Sequence, residues 1–209
     1  MPVRIQHDLS ANSFFFVTFT CFKWFPLFKL ANAYDTVYKW FDHLFQHSRY
    51  VTGYVIMPNH LHVLLYFPKM STSLNMVIGN AKRFMAYEII KRLEEEKQNE
   101  LLGLLHAGVQ KREARKGQLH KVFEDSFDAK ACYTPEFIFQ KLAYMHHNPV
   151  RKKWNLADDF TMYQHSSALY YEKGVKRYEK IIHVNDALSG NVPGSLPFNG
   201  TAQKTPGGR

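Results

Sequence analysis

Cysteine is scarce in this chain: Cys21 and Cys132 are the only two among 209 residues. Two thiols cannot build a disulfide scaffold, and no CxxC pair exists to hold zinc. A reducing, cytoplasmic setting is therefore the expectation. Long apolar runs are missing as well. Residues 14–28 are rich in aromatics but broken by Thr18, Thr20, Lys23 and Pro26, too interrupted for a membrane span. The opening MPVRIQHDLS lacks the apolar centre of a signal peptide. No internal repeat marks a solenoid or propeller. Acid is the minority charge, with 18 Asp and Glu against 27 Lys and Arg, a net +9. That balance points to a polyanionic partner, nucleic acid first, with no membrane expected. With 45% hydrophobic and 22% charged residues the composition is that of a folded domain.

Periodicity places the elements. Residues 13–22 (SFFFVTFTCF) are rich in Phe, Val and Thr and read as a strand buried on at least one face. Residues 32–47 carry Val37, Trp40, Phe41, Leu44 and Phe45 at helical spacing, after a connector over 27–31. Residues 50–57 and 60–67 are extended runs separated by Pro58-Asn59, either two strands or one with a bulge. Ser71, Thr72 and Ser73 offer N-caps to a long helix whose apolar stripe is Leu74, Val77, Ile78, Ala81, Met85, Ile89 and Leu93. The pattern blurs over 94–100 and resumes weakly over 101–105. Residues 111–121 (KREARKGQLHK) form a basic run, either a solvated loop or a phosphate-contacting arm. Residues 122–133 contain a short edge strand. Thr134-Pro135-Glu136 is an N-cap, N1 proline and first-turn acid, opening a helix that runs to about Asn148, before Pro149. From Val150 onward the pattern is irregular. Residues 1–189 are read as one domain and 190–209, rich in Gly, Pro, Ser and Thr, as a flexible tail. Strands and helices in this order give an α+β fold, an antiparallel sheet with helices packed on it.

Two segments carry chemistry. In YVIMPNHLHVLLYF, the strand period of two puts His60 and His62 on one face, where two imidazoles can share a divalent metal. His-x-His alone is a weak signal, and polar rings on an apolar strand are often structural. In KLAYMHHNPVRKKW, Ile138, Leu142 and Met145 mark the core side of a helix. Tyr144 and Asn148, four apart, share an adjacent face with Lys141, and Arg151, Lys152 and Lys153 follow. That stripe offers a phenol, an amide and a cation to one region. His146 and His147 read as phosphate ligands or surface caps. Trp154 reads as packing or as a base-stacking ring, and Lys82 and Arg83 as solvated or DNA-contacting cations.

Together the segments resemble a known family. PNHLH is similar to the His–hydrophobic–His motif of the HUH single-tyrosine endonucleases. YMHHNPVRKKW is similar to the catalytic-helix motif of the insertion-sequence-type transposases among them, above all the REP-associated tyrosine transposases. The resemblance spans residues 14–171 and includes Ser166-Ser167-Ala168. It implies a ferredoxin-like antiparallel sheet and a divalent metal, Mg²⁺ or Mn²⁺, held by His60, His62 and Asn148. It implies that Tyr144 attacks a phosphodiester of single-stranded or hairpin DNA, leaving a 5′-phosphotyrosine and a 3′-OH. Lys141, Arg151, Lys152, Lys153, Lys82 and Arg83 are the expected DNA-binding cations. Such a protein would work beside the nucleoid. The family contains monomers and dimers, so a homodimer is left open. Two rivals stand beside this reading: a metal-dependent hydrolase using His-x-His, and a non-catalytic hairpin-binding module on the same fold.

Overall fold

A computed structural model of the chain describes residues 13–194. The amino-terminal stretch and nearly all of the expected tail lie outside the described residues. In chain order the elements are β1 (Ser13–Thr20), α1 (Leu27–Leu30), α2 (Tyr34–Gln46), β2 (Tyr50–Met57), β3 (His60–Phe67), α3 (Leu74–Glu95), α4 (Asn99–Ala107), α5 (Lys111–Ala114), β4 (Asp128–Cys132), α6 (Pro135–His146), α7 (Ala168–Lys173) and α8 (Val184–Leu188). The sheet order is β2-β3-β1-β4 with every neighbouring pair antiparallel. This is the split arrangement of the ferredoxin-like fold, in which β1 and β2 run side by side in direction but are separated by β3.

Alternation along the strands creates two cores. Phe15, Val17 and Phe19 of β1 and Leu61, Val63, Leu65 and Phe67 of β3 face α2 and α3. The whole stripe from Leu74 to Leu93 on α3 is buried there, as its spacing predicts. Phe14 and Phe16 of β1 and Leu64 and Tyr66 of β3 point the other way, onto Ile138, Leu142 and Met145 of α6. His60 and His62 belong to this second face, so the strand period delivers both imidazoles toward α6.

Two devices seat α6. A Cβ on Gly53 would meet Leu142 Cδ1 at 2.5 Å, so the glycine leaves the room that this leucine of α6 fills against β2. Residues 165–167 then fold back along the outer edge of β2, where Ile56 N–H donates to His165 O and Ser167 N–H donates to Tyr54 O. Ser167 Oγ accepts from Tyr54 N–H at 2.9 Å and lies 2.8 Å from Nε2 of His146 on α6. This bridge covers a sheet edge and ties it to the helix.

Several readings of the sequence need correction. Residues 27–31 are not a bare connector but the one-turn helix α1. The weak apolar pattern near 101–105 is α4. The stretch after Val150 contains α7 and α8. Helix α6 stops at His146, and Asn148 sits in a separate 3₁₀ turn, Asn148–Val150. The basic run is only partly available to a phosphate. Lys121 is buried between Glu113 and Asp125, at 3.3 and 2.9 Å, while Lys111, Arg112, Arg115 and Lys116 are exposed. Among the described residues no helix is long and apolar enough to cross a membrane.

Burial pushes His146 down to about 3 and His165 to about 4, the charges of His147 and Arg177 adding to the respective shifts. In the unfolded chain both rings titrate near about 6.5. Below that value the unfolded chain binds protons that the folded chain refuses, so stability is full above it and falls as the pH drops toward the folded values. Urea unfolding midpoints measured from neutral pH to about pH 4.5 are expected to fall steadily. A flat profile would mean that these rings do not stay neutral in the fold.

Candidate active site

The antiparallel register sets the site from the strand side. Thr18 of β1 lies directly opposite His62 of β3, on the same face. Its Oγ1 is 2.6 Å from Nδ1 of His62. Asn59, in the turn between β2 and β3, orients the second imidazole. Its Nδ2 donates to Trp24 O at 3.1 Å, and a carbonyl can only accept, so Oδ1 must face the other way. Oδ1 lies 2.7 Å from Nδ1 of His60, which therefore carries the proton. The Nε2 lone pair of His60 is left available.

The 3₁₀ turn after α6 completes the cluster. Pro149 ends the helix, and the turn carries Asn148 inward until its Nδ2 donates to Nε2 of His60 at 3.3 Å. The same amide turned over would present Oδ1 at that point. His60, His62 and Asn148 are all buried, with 3, 6 and 4% of their surface exposed, and the two imidazole centroids are 4.8 Å apart. Burial holds His60 at about 4, with the Lys153 ammonium adding to the effect. Burial also holds His62 at about 3, with His60, Arg151 and Lys141 adding. Both rings are neutral at physiological pH, as metal ligation requires. Two neutral imidazoles whose Nδ1 atoms are held by neighbouring groups, with an amide beside them, fit a divalent cation that keeps open positions for phosphate and water.

Tyr144 stands at the mouth of this cluster, 39% exposed. Its ring meets His62 edge-on at 5.6 Å and Phe16 at 6.2 Å. The Arg151 guanidinium lies 4.5 Å from the ring centroid and the Lys141 ammonium 5.9 Å away. A phenol flanked by two cations suits an attack on a phosphodiester, because both the attacking oxygen and the phosphate carry negative charge.

The expected cations divide. Lys141 and Arg151 flank Tyr144, Lys153 lies over Trp24 and Trp154, and Lys152 is exposed. Lys82 and Arg83 grow from α3, across the sheet from α6. Lys82 Nζ is tied to the carbonyls of Glu124, Asp125 and Ser126, and Arg83 donates to Asn80 Oδ1. The structure does not bring either to Tyr144. His146 is neither a surface cap nor a phosphate ligand but the buried partner of Ser167. His147 is exposed and stacks on Phe160. Thr18, Asn59 and Trp24 complete the site without having been singled out in the sequence. Asn59 was readable from its place beside His60 in PNHLH. Thr18 required the strand register, and Trp24 required a backbone turn that no local pattern announces.

No protein-family model and no curated protein matches the chain. Solved structures do match it. One is a REP-associated tyrosine transposase bound to a REP hairpin, which superposes with a TM-score of 0.51 at 13% sequence identity, over 84% of this chain and 88% of that one. A likeness at this identity concerns the fold: a four-stranded antiparallel sheet with helices on its faces.

Proposed function

We propose that the protein cleaves and rejoins single-stranded DNA at or beside a hairpin, with Tyr144 as the nucleophile. The observation that carries this reading is the convergence of Tyr144, between Arg151 and Lys141, on the buried His60–His62–Asn148 cluster. The solved neighbour, a tyrosine transposase with a bound hairpin, supports it.

In the proposed step the Tyr144 Oη–P bond forms and the P–O3′ bond breaks. The phenol releases a proton to solvent, and the departing 3′ oxygen takes one up. The strand on the 3′ side of the cut remains joined to Tyr144 through its 5′ phosphate, as a phosphodiester, so the reverse attack by a 3′-OH rejoins DNA without an external energy source. A phenol is a weak nucleophile at neutral pH, and Arg151 and Lys141 beside the Tyr144 ring place positive charge where the attacked phosphate gathers negative charge. A divalent metal held by His60, His62 and Asn148 would supply Lewis acidity at the scissile phosphate. The nitrogen-rich donor set favours Mn²⁺ over Mg²⁺ in vitro.

The test is incubation with labelled hairpin oligonucleotides and Mn²⁺, followed by denaturing electrophoresis. A covalent protein–DNA band that disappears with chelator supports the reading. Intact DNA bound with salt-dependent affinity, across several hairpin sequences, would instead make the chain a binding module. A hydrolase would cut without leaving an adduct. Among the described residues no three His, Cys, Asp or Glu side chains gather, as the ligand set of a catalytic zinc hydrolase requires.

Asn59 offers a separate check on the metal. Removing a group that orients a ligating histidine typically lowers metal affinity or activity roughly 10- to 100-fold. Asn59→Ala is expected to weaken Mn²⁺ binding by about that factor, measured by the paramagnetic signal of free Mn²⁺. Unchanged binding would remove His60, as Asn59 orients it, from the ligand set.

A further inference from the structure

Outside the chemistry just described, one group of side chains stands out. Trp24 is 52% exposed, although an indole contributes most when buried. Its backbone is left-handed, with φ of 60°, and that of Lys23 before it is too, with φ of 49°. For bulky residues this conformation persists only where the surroundings enforce it. Here they do. Lys23 N–H donates to Glu124 Oε1, Trp24 N–H donates to Cys21 O, and Trp24 O accepts from Asn59. The strained turn does not serve the core. It holds an indole out at the surface, edge-on to His60 at 5.6 Å.

A second indole backs it. Trp154 stacks on Trp24 with centroids 6.3 Å apart and planes 29° from parallel, and lies 5.2 Å from His60. The Lys153 ammonium sits 5.0 Å from the Trp24 ring and 4.9 Å from the Trp154 ring. Two aromatic faces with a cation above them are the elements that bind unpaired nucleotides: the rings take a base and the cation takes the backbone. The pair borders His60 on the side away from Tyr144, which packs on His62 instead.

We infer that Trp24 and Trp154, with Lys153, form a base-stacking platform that grips an unpaired nucleotide next to the phosphate received at His60 and His62. The inference rests on the reading that this pair receives a phosphate of single-stranded DNA. Asn59 is its positioning residue, since one amide holds both the Trp24 carbonyl and the His60 imidazole. Platform and phosphate site are thereby kept in fixed register. Because every base has a π-face, the platform sets affinity and placement and is tolerant of base identity.

The test is equilibrium binding to a fluorescein-labelled hairpin with a randomised single-stranded flank, in chelator, so that binding is read without cleavage. Alanine substitution of a stacking aromatic weakens binding by roughly 5- to 150-fold. Trp24→Ala is expected to fall in that range, with Trp24→Phe close to the native protein and all three melting alike. Native indole emission should be quenched on binding, and less so in Trp24→Phe, since Trp40, the third tryptophan, is buried in the core. Equal affinity of Trp24→Ala and native protein would overturn the platform. So would equal weakening by Phe and Ala, which would indicate a packing role. The adduct assay is independent of this result. Adduct formation with Trp24-insensitive binding discards the platform and keeps the chemistry. Trp24-dependent binding without any adduct keeps the platform and discards the chemistry.

Discussion

Tyr144→Phe is expected to abolish the covalent protein–DNA band while leaving hairpin binding and thermal stability intact. The adduct contains the Tyr144 oxygen as one of its own atoms, so the loss should be complete. Removing the nucleophile of a serine protease lowers turnover by on the order of 10⁶. The fold has little reason to respond. Tyr144 is partly exposed, and its ring contacts with Phe16, His62 and Arg151 are all available to a phenylalanine. A surface change of this kind shifts stability by no more than about 0.5 kcal/mol. The variant therefore separates chemistry from folding. An adduct that persists in Tyr144→Phe would require another tyrosine. Tyr87, exposed on α3 across the sheet, and Tyr133, exposed before α6, are the residues that peptide mapping should then examine. Either result would remove Tyr144 from the reaction.

The parts of the fold that sequence reveals are those governed by local period. The stripe from Leu74 to Leu93 is legible because seven apolar residues repeat at helical spacing, and all seven are buried. The shared face of His60 and His62 is legible because a strand alternates strictly. Thr134 and Ser73 are legible as caps, and each accepts the expected backbone N–H, from Phe137 and Met76. What escapes is set by contacts distant in sequence. Nothing around Thr18 says that it stands opposite His62, because that depends on pairing between β1 and β3. Trp24 reads as one more aromatic in a Phe-rich stretch until its left-handed backbone is seen. Lys82 has a solvent-ready helical setting, yet the chain returns at residues 124–126 and surrounds its ammonium with carbonyls. His146 shows the limit most clearly. Beside His147 and Asn148 it reads as polar helix end, and the return of residues 165–167 along β2, with Tyr171 beyond them, covers it.

That return predicts the largest stability effect in the site region. Ser167 is 2% exposed, so water cannot replace its hydroxyl. Ser167→Ala would leave two buried groups without the oxygen they now face: the Tyr54 N–H, 2.9 Å away, and Nε2 of His146, 2.8 Å away. Tyr54 O keeps a donor, the Ser167 N–H, and does not add to the loss. Each buried polar group left unsatisfied costs about 1–3 kcal/mol, so the substitution is expected to cost about 2–6 kcal/mol. A chain of this size loses about 2–4 °C in melting temperature per kcal/mol, so a fall of at least about 4 °C is expected. The functional consequence differs in kind from that of Tyr144→Phe. His146 follows Tyr144 by two residues on α6, and loosening its anchor frees the turn that carries Asn148 toward His60. Adduct yield should therefore decline as the temperature approaches the lowered melting point, and recover on cooling. In Tyr144→Phe it is absent at every temperature. A Ser167→Ala protein that melts with the native one would show that the edge bridge does not hold the helix, and that α6 is seated by Gly53 and the apolar face of Ile138, Leu142 and Met145 alone.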